Sequence, residues 1–141
     1  MAETVVEHEL GVRWEPNAPE AVVLAEDTRV AVSVRPHPED DDPRVVVLLW
    51  SGVVRMSTGA PNDEALHLHR LSDRGLDRVM WLGRVEQSEL VDTVAVMRHE
   101  ASDLSHWVVP LKECLTEVVG RSVEVLRIAG TTRSAAVAAL S

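Results

Sequence analysis

Only one cysteine, Cys114, and one lysine, Lys112, occur in this chain, and it has no phenylalanine or tyrosine. A single thiol has no partner for an internal disulfide, which fits a reducing, cytoplasmic setting. The near-absence of lysine, together with a net charge of −9, argues against a phosphate backbone as a ligand, so no nucleic acid is expected. No apolar run reaches the ~18 residues that a membrane-spanning helix needs, so no membrane partner is expected either. The opening residues MAETVVEHEL have no basic stretch followed by an apolar one, so no secretory signal is expected. The strong chemical signatures are missing too: there is no glycine-rich phosphate loop, no GxSxG, no HExxH and no CxxC.

What is present is valine, leucine and alanine, with four tryptophans. Valine's branched Cβ suits a pleated strand better than a helix. At 141 residues the chain suits one domain able to bury a core without disulfides. Its acids are unevenly spread. Residues 1–43 hold eleven acids and three arginines, whereas the rest is nearly balanced. The bland consequence is solubility; the specific one is attraction of a basic protein partner.

The alternation of Val30, Val32 and Val34 with Ala31, Ser33 and Arg35, after the run Ala21–Ala25 and a turn at Glu26–Thr28, reads as a hairpin. Its second arm is expected to bury the valines and expose the residues between them. The segment PHPEDDDP at 36–43 is a stiff, solvated loop. Six consecutive apolar residues, Val45–Trp50, imply a strand covered on both faces at the centre of a sheet. Ser51-Gly52 then reads as a bulge in one long strand or as a turn between two, with the bulge favoured.

Residues 64–71 fit either a helix, capped by Asn62 or Asp63, or a strand. Arg78–Val85 reads as a strand, with Gly83 a bulge or a point of close approach. Ser88 is a good cap for a main helix over about 89–101, with Leu90, Val91, Val94, Met97 and Ala101 on its buried stripe. Two strands follow at 106–119, and Gly120-Arg121 turns the chain into a terminal hairpin. The expected fold is therefore α+β: a curved, mostly antiparallel sheet of six to eight strands packed on one main helix. Residues 1–130 form the domain, and the Ala-rich tail at 131–141 forms a short docking helix.

His67 and His69 are the sharpest chemical candidates. Histidine exchanges protons near neutral pH, and rings two residues apart share a metal only on an extended backbone. On this reading His67, His69, Glu64 and Arg70 form the catalytic candidate, with Asp63 beside them. No cofactor is expected; a divalent metal on His67 and His69 is the exception, and a histidine pair falls short of a full zinc ligand set. Trp81, Trp107, His99, His106 and Cys114 are candidates for lining a ligand site, the tryptophans because they favour pocket mouths and interfaces. Glu113 and Glu117 read as exposed. The functional expectation is a small binding or accessory protein, a homodimer that holds a basic protein partner or a small molecule. The alternative is a small enzyme built on His67 and His69.

Overall fold

The structure, a computed structural model, describes residues 2–98 and 103–141. The α+β expectation holds: strands dominate, every pairing is antiparallel, and two α-helices pack on the outside. The strands divide between two sheets and do not form the one curved sheet expected. A five-stranded sheet has the order β1 (Thr4–Glu7), β6 (Gly83–Glu86), β7 (Ser105–Pro110), β8 (Leu115–Gly120), β5 (Arg55–Gly59). A four-stranded sheet has the order β2 (Val22–Glu26), β3 (Arg29–Val34), β4 (Val45–Ser51), β9 (Ser122–Ile128).

Alternation explains how the sheets face each other. Val30, Val32 and Val34 of β3, with Val46, Leu48 and Trp50 of β4, point into the space between the sheets. Trp107 and Val109 of β7 and Val118 of β8 meet them from the other side. Trp50 and Trp107 contact edge to face, with centroids 6.4 Å apart. Both indole N–H groups are buried with no hydrogen-bond partner among the described residues, a cost that the surrounding apolar burial offsets.

The opposite face of the four-stranded sheet is covered by α2 (Thr132–Ala139), which lies within the Ala-rich tail. Thr131 and Ser134 form its capping box. Ala135 and Ala136 are fully buried against Ala31, Val45, Val47 and Leu49. This cover corrects the hairpin reading: Ala31 and Ser33 are as buried as the valines, and the Ser33 hydroxyl donates to the Thr132 carbonyl at 2.6 Å.

The two sheets share one ribbon. The strand β4–β5 and the strand β8–β9 run antiparallel along their whole length, so that β4 pairs with β9 and β5 with β8. Between the pairs Ser51–Ser122 and Arg55–Val119, the first strand advances four residues and the second three. That extra residue is the bulge expected at Ser51-Gly52, and it turns the ribbon from one sheet into the other. Gly52 takes φ +63° there, and a Cβ would collide with the Arg121 side chain at 2.9 Å. The expected terminal hairpin is not formed: β9 follows β8 across the corner and pairs with β4.

Residues 63–78 are neither the strand nor the regular helix considered. They form three short 3-10 turns, Asp63–Leu68, Ser72–Arg74 and Leu76–Arg78, on the outer face of the five-stranded sheet. Leu71, Leu76 and Val79 pack there on Val5, Val85 and Val108. The expected strand over 78–85 shortens to β6, and Gly83 is the close-approach point: a Cβ would lie within 2.9 Å of Val108, Val5 and Val79. The helix over 89–101 appears as α1 (Glu89–Arg98); Ala101 and His99 lie outside the described residues. Val94 is buried, but Met97 is 75% exposed, so the expected stripe does not extend to it.

Candidate functional site

The strongest side-chain cluster joins four elements of the five-stranded sheet's outer face. β7 turns His106 outward, beside Val108, and the ring is fully buried. β8 turns Glu117 to the same face, directly opposite Val108. Ser88 caps α1, its Oγ accepting the Val91 amide at 3.1 Å. The Asp63–Leu68 turn ends at His69, whose backbone is extended and whose ring turns inward.

Hydrogen bonds fix one proton arrangement. Leu71 N–H donates to His69 Nδ1 at 3.0 Å, so the neutral ring carries its proton on Nε2, which faces Glu117 Oε2 at 3.7 Å. His106 Nε2 lies 2.9 Å from Glu117 Oε1 and donates to it. His106 Nδ1, 2.8 Å from Ser88 Oγ, is then the acceptor of the serine hydroxyl. A hydrogen-bonded chain runs from the α1 amide through Ser88 and His106 to Glu117, and the His69 ring, anchored by the Leu71 amide, stands beyond hydrogen-bond distance at 3.7 Å from the carboxylate. The His106 hydrogen bond holds the Glu117 carboxyl below its ordinary range; burial opposes this, and the His106, His69 and Arg70 charges add to it.

Glu3 flanks the chain. Burial works to raise its pKa, but the Glu89 amide, donating at 2.9 Å, and the paired Arg70 guanidinium outweigh it and hold the carboxyl low. The carboxylate thereby neutralises a first-turn amide of α1.

The sequence candidates separate accordingly. His69 and Arg70 reach this cluster, Arg70 only through Glu3. His67 and Glu64 are exposed on the same turn, so the two histidines do not face one metal: a 3-10 turn followed by an extended residue sends their rings to different environments. Among the described residues, no group of three His, Cys, Asp or Glu side chains has metal-binding geometry. His106 belongs to the buried chain and is also among the residues that line the groove beside α1. Trp107 is in the intersheet core, which corrects its placement at a pocket mouth. Trp81 is half-buried; its indole donates to the Trp14 carbonyl at 3.0 Å, and the Arg13 guanidinium stands 5.9 Å from its ring. Cys114 is half-buried and accepts the Thr58 hydroxyl at 3.3 Å, remote in sequence and sheet position from His106. Glu117 is the corrected exposed residue and Ser88 the missed one. The signals available were the continuous apolar run Trp107–Val109 beside His106 and the capping position of Ser88.

A groove of about 360 Å³ opens beside the cluster, lined by Arg84, Glu86, Ser88, Val91, Asp92 and Leu104 among others. A second surface feature is β9. It ends the four-stranded sheet, is seven residues long, and leaves Val123, Val125, Leu126 and Ile128 half-exposed. The opposite edge of the other sheet, β5, is shorter and mostly polar.

No family model, curated protein or solved structure matches the chain. What the fold and cluster define is a two-sheet antiparallel α+β sandwich with a serine–histidine–carboxylate chain on one outer face. Among the described residues no helix is long and apolar enough to cross a membrane.

Proposed function

We propose that the protein is a small binding or accessory protein that assembles through the free edge of β9, with a second copy of itself as the partner. The single observation behind this reading is the edge strand: long, apolar on both faces, and with one side of its backbone facing away from β4. Such an edge is a template for pairing with another strand unless charge or a covering segment blocks it. The charges on β9 are placed to permit pairing. In an antiparallel twofold pair centred on Val125, Glu124 faces Leu126 and Arg127 faces Val123; centred on Leu126, Glu124 faces Ile128 and Arg127 faces Val125. In neither register do like charges oppose. The acidic first third would extend the same surface chemistry to a basic partner, and the free Cys114 suits a cytoplasmic setting.

Sedimentation velocity tests the reading. The wild-type protein is expected to show concentration-dependent dimerisation, abolished in Val125→Lys and Leu126→Lys, each of which sets two lysines face to face in one register. Urea titration of the variants separates lost pairing from lost folding. A wild-type protein that stays monomeric up to about 100 μM, where even a Kd in the tens of micromolar would register, overturns the proposal.

A further inference from the structure

The hydrogen-bonded chain at α1 has the order of a nucleophile, a base and an orienting acid, and it lies at the mouth of a groove. Ser88 Oγ is 2.8 Å from His106 Nδ1, and His106 Nε2 is 2.9 Å from Glu117 Oε1. We infer that Ser88 is a nucleophile for acyl transfer, with His106 as its general base, Glu117 as the group that holds the base, and a short-chain carboxylic ester as the substrate class.

Four independent features carry this. First, the proton arrangement is the productive one. Because Ser88 Oγ accepts the Val91 amide and His106 donates to Glu117 from Nε2, the serine hydroxyl is directed at a bare imidazole nitrogen. The two ring nitrogens exchange the roles they hold in serine proteases, but the roles themselves are kept. Second, the carboxylate end is charged. Glu117 is held in its ionised form by His106, and an anion there stabilises the imidazolium that forms when His106 takes a proton.

Third, the local backbone is a strand, a strained turn, a serine and a helix. β6 ends at Glu86, Gln87 takes φ +57°, an unfavourable angle for a residue with a side chain, and Ser88 then opens α1. That turn sets Ser88, though buried, in the wall of the groove beside the helix's first-turn amides. Of those amides, Glu89 N–H is taken by Glu3 and Val91 N–H by Ser88. Leu90 N–H has no partner among the described residues and is available to a developing oxyanion. Fourth, the groove provides room. Its lining is mostly polar, with Val91 and Leu104 among its few apolar residues, and Ser88 and the buried His106 both line it.

The step balances without a cofactor. Ser88 Oγ bonds to the ester carbonyl carbon as its proton passes to His106 Nδ1. The carbon–alkoxy bond then breaks, and the departing oxygen takes that proton, leaving an acyl-serine and a free alcohol. Water repeats the sequence in reverse: His106 Nδ1 accepts a proton from it, its oxygen bonds to the carbonyl carbon, and Ser88 Oγ leaves reprotonated with the carboxylic acid released.

The test uses the full chain and two probes. A fluorophosphonate is expected to add once per chain, and peptide mapping is expected to place the adduct on Ser88. Hydrolysis of p-nitrophenyl acetate is expected to fall by at least about 100-fold in Ser88→Ala and Ser88→Asn. Asparagine retains a helix cap while removing the nucleophile, so a folded but inactive S88N separates chemistry from stability. Glu117→Gln is expected to slow adduct formation in the wild-type serine background. No adduct at Ser88 under conditions that fully modify a known serine hydrolase overturns the inference, as does hydrolysis unchanged in both Ser88 variants. The site is in the five-stranded sheet and β9 in the other, so this result and the dimerisation result stand or fall separately.

Discussion

Glu117 is the residue on which the outer-face cluster converges, accepting a hydrogen bond from His106 and facing the His69 ring at 3.7 Å. Replacing it with glutamine removes the charge that faces both rings and turns an amide N–H toward one of them. Glu117→Gln is therefore expected to cost roughly 1–3 kcal/mol at neutral pH, read from urea unfolding. The pH dependence follows from the direction of the shift. The folded pKa lies below the unfolded value near 4.5, so Glu117 contributes stability above that value and loses it as pH falls through the lowered one. The variant's stability should be flatter than the wild type's across that acid range; parallel curves would mean that the cluster is not coupled to folding.

At the scale of elements, α2 decides how the four-stranded sheet is read. Val45–Trp50 was legible as a strand covered on both faces because the run is short, valine-rich and apolar at every position, and all six residues are buried. The identity of the cover was not legible: an Ala-rich segment has weak amphipathicity, and only packing shows that Ala135 and Ala136 fill the space over Val47 and Leu49. Ala136→Asp is expected to place an unpaired charge in that space and to destabilise the protein by roughly 3 kcal/mol or more. Trypsin cleavage at Arg133 should accelerate in step, since the helix must lift for the bond to become accessible. The corner was half legible. Ser51-Gly52 marked a bulge, but Gly120-Arg121 looked like a hairpin turn because local punctuation does not say which strand is the partner. The site was legible only in fragments. Ser88 as a cap and the apolar run beside His106 were readable, yet their meeting with Glu117 depends on the lateral order β6-β7-β8, which spacing in the chain does not encode. The misleading signal was His67-Leu68-His69, since two adjacent histidines invite a metal and a 3-10 turn disperses them.

For the whole molecule, charge sets the conditions under which any assembly is seen. The net charge of −9 opposes the approach of two copies, and the sequence pI is about 5.1. Lowering the pH from about 8 to about 6 reduces that repulsion, and raising salt screens it. Dimerisation through β9 is therefore expected to tighten under either change, measured as a fall in Kd by sedimentation. The edge contact is apolar and short-ranged, so screening removes the opposing term and leaves the favourable one. A Kd that rises with salt would instead point to an interface held by opposite charges.

The shared ribbon also dictates an order of events during synthesis. β2, β3 and β4 follow one another and can form a meander early, but β4's other neighbour is β9, at residues 122–128, and its outer cover is residues 132–139. Until those residues leave the ribosome, Ala31, Val45, Val47 and Leu49 have nothing above them and β4 has an open side. The four-stranded sheet therefore closes only once β9 and α2 are available, and its apolar outer face stays uncovered until then.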